Sequence, residues 1–136
     1  MKTTIDSIQI ISLPKIEDPR GNLSVVEGDI LPYEMKRVYY LYDVPGGAER
    51  GGHAHKEQLE FLVALSGSFE VVLNDGVNEK TVALNIPTKG LLIPTGIWRD
   101  LKNFSSGSVC LVIASEVYLE EDYIREYDEF VAYKNG

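Results

Sequence analysis

The sequence predicts an all-β domain, closed into a sandwich or barrel and finished by a short helical tail. Three observations carry this. About ten short apolar or alternating runs recur at roughly 8–12-residue spacing, the pattern of a closed antiparallel architecture. Turn signals separate them, among them Ser66-Gly67-Ser68, Asn74-Asp75-Gly76 and Pro94-Thr95-Gly96. Towards the C-terminus the period changes. Tyr123, Ile124, Tyr127, Phe130 and Val131 fall at i, i+1, i+4, i+7 and i+8, which is one face of a helix.

In chain order, residues 8–13 read as a strand, 15–21 as a polar turn broken by Pro19 and Gly21, and 22–27 as a second strand with Leu23 and Val25 on one face. Residues 28–32 form a loop. Residues 37–43, Arg-Val-Tyr-Tyr-Leu-Tyr-Asp, are aromatic and β-branched, the composition of a strong strand. A glycine-rich loop over 45–52 delivers the next strand. Further strands follow over 58–66, 69–73, 80–84, 90–93, 98–104 and 109–115. Residues 120–133 read as one helix or two short ones packed on the barrel, with Glu121, Asp122, Glu126 and Glu129 mostly on the solvent side.

The chain has 136 residues, one domain's worth, and neither linker nor internal repeat divides it, so a single domain over 1–136 with a tail from 117 is expected. Apolar residues are 44%, which excludes a chain disordered throughout. The formal charge of −8 argues against nonspecific nucleic-acid binding, although a local arginine cluster can still hold a phosphate. The single cysteine, Cys110, forbids an intrachain disulfide and sits in an apolar run, where a buried thiol is expected. No apolar run reaches membrane-spanning length and residues 1–10 lack a signal-peptide core, so a cytoplasmic protein with no membrane partner is expected.

The chemistry concentrates in Arg50-Gly51-Gly52-His53-Ala54-His55-Lys56. This stretch holds both histidines of the chain. Two apart on a strand, they face the same way. Histidine titrates near neutral pH and is the commonest metal ligand, so the pair suits proton transfer or metal binding. The spacing Gly47-x5-His53-x-His55-x4-Glu60-x6-Gly67 is the first half-motif of the cupin barrels, and implies a cupin, or jelly-roll, β-barrel. The second half-motif asks for a histidine where this chain has Gly90-x3-Pro94-Thr95-Gly96-Ile97-Trp98-Arg99-x3-Asn103. Arg99 takes its place, and a guanidinium offers only donors, so it cannot ligate a metal. His53, His55 and Glu60 would still suffice for a two-histidine, one-carboxylate site.

Read in order, Asp18-x-Arg20-Gly21-x-Leu23, Met35-Lys36-Arg37-Val38-Tyr39-Tyr40, the histidine stretch, Gly96-Ile97-Trp98-Arg99, Asn103-Phe104-Ser105 and residues 122–130 (Asp-Tyr-Ile-Arg-Glu-Tyr-Asp-Glu-Phe) resemble the dTDP-4-keto-6-deoxyhexose 3,4-ketoisomerases, small cupins of sugar-nucleotide biosynthesis. The resemblance implies isomerisation with no metal and no cofactor. A base removes the C3 proton, acidified by the C4 ketone, and the resulting enediolate is reprotonated at C4. It implies a dTDP-linked 4-keto-6-deoxyhexose as partner, and a homodimer with exchanged N-terminal strands. His55 is then the base at C3 and a candidate for the acid at C4. His53 assists as relay or oxyanion partner, and Tyr39 offers a hydroxyl to the same cavity. The diphosphate calls for cations: Arg20 and Arg37 first, with Lys56 and Arg99 behind them. Trp98 is a candidate for stacking on the base, against a core role.

Glu60 departs from the family pattern, where glutamine is usual. It can hydrogen-bond a histidine and fix its tautomer, bind a metal together with the histidines, or contact the sugar. The first is favoured. Two other functions stay open at this stage. One is a metal-dependent cupin enzyme using His53, His55 and Glu60; the other is a nucleotide-sugar binding cupin without turnover.

Overall fold

The computed structural model describes residues 3–136. Twelve strands are found: β1 (Gln9–Ser12), β2 (Lys15–Ile16), β3 (Leu23–Ser24), β4 (Arg37–Leu41), β5 (Arg50–His55), β6 (Glu60–Ser66), β7 (Phe69–Asn74), β8 (Glu79–Leu84), β9 (Lys89–Ile93), β10 (Trp98–Lys102), β11 (Val109–Ala114) and β12 (Tyr123–Ile124). One α-helix, α1 (Tyr127–Asn135), closes the chain. Ten of the strands form two five-stranded antiparallel sheets, in the orders β1-β9-β6-β11-β4 and β12-β5-β10-β7-β8. Their alternating inner residues, such as Leu62, Val71, Leu73, Leu91, Ile93 and Val112, make one shared core. This is the expected cupin-like jelly roll.

The outer face of the first sheet carries Phe61, Val63, Leu92 and Ile113, covered by Leu31 with Val26, Ile30 and Tyr33. The Tyr33 hydroxyl donates to the Ile113 carbonyl at 2.6 Å, pinning this cover. Here the sequence reading needs correction. The strand expected over 22–27 is reduced to Leu23–Ser24, which pairs with Lys15–Ile16 from the stretch read as a turn. Val26 is used as cover by its side chain and not as a ladder residue.

The tail needs a larger correction. Residues Glu120–Asp122 make a 3₁₀ turn, and Tyr123–Ile124 form strand β12 on the edge of the second sheet, with Tyr123 opposite His55 and Ile124 opposite Ala54. The helix begins only at Tyr127. Phe130 is wholly buried against Ala54, Trp98 and Ile124, so strand and helix cover the same patch of barrel wall. That shared destination is why a single helical period fitted both. Among the described residues no helix is long and apolar enough to cross a membrane.

Strand β5 is irregular where it matters. Arg99 pairs with His53 but Leu101 pairs with Arg50, so β5 has one more residue than β10 across this interval. Gly51 supplies the bulge with φ +90°, and a Cβ there would lie 2.8 Å from Leu101 Cδ1. The extra residue turns Arg50 to the same side as His53.

Candidate active site

Between the sheets opens a cavity of about 440 Å³, within the usual range for small-molecule sites. Strand alternation places Arg37, Tyr39 and Leu41 of β4 on its wall, as expected from the sequence. Glu60 of β6 lies on the same sheet, and facing them from the second sheet are His53 of β5 and Arg99 of β10. Arg99 is 1% exposed and Glu60 2%, and they form a buried pair with Nη1 to Oε1 at 2.5 Å. Arg99 is further held by its own strand, donating from Nη2 to the Ile97 carbonyl at 3.0 Å. The other Glu60 oxygen accepts from the Tyr39 hydroxyl at 2.7 Å and from Gln58 Nε2 at 2.8 Å. Burial first, then the Glu60 charge, pushes the Tyr39 phenol far above its ordinary range, so it stays a proton donor at neutral pH.

The two imidazoles stand edge to face with centroids 4.8 Å apart. His53 is on the cavity wall, and its Nε2 is buried without a partner. Arg37 Nη1 on the opposite strand is in the same condition. Unpaired buried polar atoms are costly, and two of them aimed at one cavity are what a polar ligand would satisfy. His55 lies one layer deeper and is 0% exposed. The Tyr123 ring packs 4.4 Å from it and 5.1 Å from His53, centroid to centroid. His55 Nδ1 is 2.8 Å from Asp122 Oδ2, and its Nε2 is 3.6 Å from Glu60 Oε2 and 3.4 Å from Gln58 Nε2.

Both histidines are held neutral. Burial, then the Arg99 charge, brings His55 down to about 4 against the opposing pull of Glu60 and Asp122. Burial, then Arg99, His55 and Arg125, brings His53 to about 2. A proton taken up at His55 therefore meets two carboxylates, while one taken up at His53 meets mainly cations.

The tautomer-fixing contact expected of Glu60 is thus made by Asp122, with Glu60 occupied by Arg99 and Tyr39. Sequence reading placed Asp122 on the solvent face of a helix; in the structure it is 8% exposed and lies beneath the barrel's edge strand. Arg50, Tyr123 and Arg125 also line the cavity and were not singled out. Arg50 was hidden by the bulge, because strict alternation from His53 puts it on the far face. The Arg125 guanidinium stacks 4.1 Å over the Tyr123 ring and pairs with Glu120 at 2.7 Å; its place depends on β12, which no periodicity signalled.

Three candidates are not brought to this cavity. Trp98 packs under helix α1 with Phe130 and donates from Nε1 to Asp100 at 3.0 Å, the core role weighed against stacking. Lys56 is exposed just beyond the end of β5. Arg20 sits between β2 and β3 with its side chain 90% exposed, paired with Asp18 at 2.9 Å.

The donor atoms of His53, His55 and Glu60 lie within 4.8 Å of one another, close enough to gather round a cation. Their surroundings do not fit one. A guanidinium already holds Glu60, and a dication would sit against the fixed charge of Arg99.

A jelly-roll barrel with two neutral imidazoles, a phenol donor and several guanidiniums round one cavity is a cupin suited to acid/base chemistry on an anionic substrate. Residues 6–135 match the family model described as FdtA: WxcM-like, C-terminal, and the chain belongs to that family. It is 42% identical over 126 residues to a TDP-4-oxo-6-deoxy-alpha-D-glucose-3,4-oxoisomerase from Aneurinibacillus thermoaerophilus, covering 92% of this chain and 91% of that one. A crystal structure of a 3,4-ketoisomerase from Helicobacter canadensis superposes with a TM-score of 0.93 at 44% identity, over 96% of this chain and 98% of that one. An asparagine-for-histidine variant of the 3,4-ketoisomerase QdtA from Thermoanaerobacterium thermosaccharolyticum, in complex with TDP-4-keto-6-deoxyglucose, superposes with a TM-score of 0.92 at 38% identity, over 94% of each chain.

Proposed function

We propose that this protein is a sugar-nucleotide 3,4-ketoisomerase, converting a TDP-linked 4-keto-6-deoxyglucose to the 3-keto-6-deoxyhexose without a metal. The observation that carries the reading is the pair of neutral imidazoles beside a buried Tyr39–Glu60–Arg99 cluster. Loss of the C3 proton puts negative charge on the C4 oxygen. A fixed guanidinium and a phenol donor are suited to stabilising that charge as it forms, in a site where water does not screen it.

His55 is assigned as the base at C3, because Asp122 and Glu60 compensate the imidazolium it becomes. His53, with a free Nε2 on the wall, is assigned to hydrogen-bond the sugar oxygens or relay the proton. Since His55 is covered by Tyr123 and His53, substrate must shift these rings to reach it. His55, carrying the proton taken from C3, is the candidate to return a proton at C4. Arg37, Arg50 and Arg125 give the cavity a cationic rim for the diphosphate, whose oxygens guanidinium forks match.

The partner chain is a second copy. Val38, Tyr40 and Tyr42 leave a broad apolar stripe exposed on and just after edge strand β4, and Ile16 and Leu23 are exposed together on the β2–β3 hairpin. Exchange of the N-terminal strands would cover both, and gives Arg20 a substrate role only at the partner's cavity. A lone buried thiol fits the reducing cytoplasm.

The test is proton NMR of TDP-4-keto-6-deoxyglucose with the protein in deuterated buffer containing a chelator. A 3-keto sugar labelled at C4 is expected, and loss of turnover in His55→Asn. No exchange under chelation, restored by a divalent metal, would overturn the metal-free reading. Full turnover by His55→Asn would overturn the assignment of the base.

A further inference from the structure

The tail contributes a buried carboxylate that the half-motifs do not contain. Asp122 Oδ2 lies 2.8 Å from His55 Nδ1, and the same carboxylate accepts from the backbone N–H of Glu57 at 2.6 Å, through Oδ1, and of Gln58 at 3.2 Å, through Oδ2. The carbonyl of Asp122 also accepts from the Lys56 N–H at 3.1 Å, so main chain and side chain both bind the turn that follows the histidine strand. Strand β12 then continues the ladder directly opposite His55. Three contacts fix this carboxylate, one of them to an imidazole nitrogen, and the main-chain carbonyl adds a fourth for the residue.

We propose that Asp122 is the positioning residue for His55: it accepts the Nδ1–H, so that Nε2, on the Glu60 and Gln58 side of the ring, keeps its lone pair. This rests on the isomerase reading with His55 as base. Neutral imidazole has two tautomers, and only the one protonated on Nδ1 leaves Nε2 able to take a proton. With only donors around it on the Glu57–Gln58 turn, Asp122 has no other group to offer His55 than an acceptor oxygen. The arrangement is that of the aspartate behind a catalytic histidine in hydrolases, here with a carbon acid as the proton source.

Asp122→Asn keeps the shape and inverts the hydrogen bonding. Both oxygens face a backbone donor, but the Glu57 N–H makes the shorter contact, 2.6 Å against 3.2 Å for Gln58, so the amide oxygen is expected on the Glu57 side and the Gln58 contact is given up. The amide nitrogen then faces His55 Nδ1 and donates to it, which drives the proton to Nε2.

With two histidines in the chain, long-range proton–nitrogen NMR of protein labelled with ¹⁵N-histidine resolves both rings, and His53→Asn assigns them. In the unsubstituted protein His55 is expected with a protonated Nδ1 and a bare Nε2 across neutral pH. In Asp122→Asn the two nitrogens are expected to exchange character, with kcat lowered about 10²–10⁴-fold and KM little changed. A folded Asp122→Asn with unaltered kcat, or with an unaltered His55 tautomer, overturns the proposal. If that variant does not fold, the unsubstituted spectrum decides: a proton on Nε2 of His55 overturns it and one on Nδ1 supports it. An unsubstituted protein that exchanges no C3 proton counts against the isomerase reading, whatever the tautomer shows.

Discussion

At the scale of single residues, the site is governed by what each buried group faces. His55 meets Asp122 and Tyr123 from the tail, Glu60 and Gln58 from the neighbouring sheet, Arg99 from β10 and His53 from its own strand. Burial outweighs the two carboxylates, so both imidazoles are neutral in the fold, at about 4 and about 2, while an unfolded chain titrates them near 6.5. Between those values the unfolded state binds more protons, so stability rises with pH and falls as pH drops from about 6.5 towards 4 and below. Urea unfolding at pH 7, 6 and 5 is expected to show a loss that begins above the range where carboxylates titrate; a flat response would contradict it. The acid limb of kcat/KM reports the folded enzyme and is expected near the lowered value of His55, about 4. Most of these residues were legible. His53, His55, Glu60 and Arg99 announce themselves by motif spacing, and Tyr39 and Arg37 by the family resemblance. Asp122 does not, because its partner is 67 residues away and nothing local marks a carboxylate that will be buried by a turn in another strand.

At the scale of elements, the long strands were readable because alternation needs several residues to show. Strands β2, β3 and β12 have two residues each, too few for a period, and they form because a neighbour offers an open ladder. The same reason explains Arg50, which a bulge moves to the face that alternation denies it. Strand β12 and helix α1 act together on the site. Phe130 is the helix's one fully buried side chain, and it packs on Ala54, between the two histidines, and on Ile124 of β12. Phe130→Ala is expected to cost about 3–5 kcal/mol of stability. Thermal unfolding measures that loss. Because β12 carries the residue next to Asp122, kcat is expected to fall as well, although Phe130 does not line the cavity; an unchanged kcat in the folded variant would show that β12 holds its place without the helix.

At the scale of the whole molecule, a chain of net charge −8 gathers Arg37, Arg50, Arg99 and Arg125 round one cavity, with Glu60 as the one acidic residue among those that line it. A local positive field inside a negative protein draws in an anion without attracting nucleic acid. The apolar stripe on β4 gives the second large-scale expectation. Tyr40 is 59% exposed on the face opposite the cavity, so Tyr40→Glu is expected to leave the barrel folded and shift sedimentation from dimer to monomer. A wild-type monomer would remove the dimer. The jelly roll was legible at this scale because strand number and spacing suffice for it; the division of labour between barrel and tail was not. That division bears on how the protein is made. Every strand of the barrel except its short edge is complete by Ala114, so a nascent chain on the ribosome can already carry both histidines in a folded wall. The carboxylate that orients one of them, Asp122, follows only after the long strands of the barrel. A chain cut short before Asp122 would keep both histidines but lose Tyr123 and Arg125 from the cavity wall and the carboxylate at His55 Nδ1, so the site becomes competent only once this segment is in place.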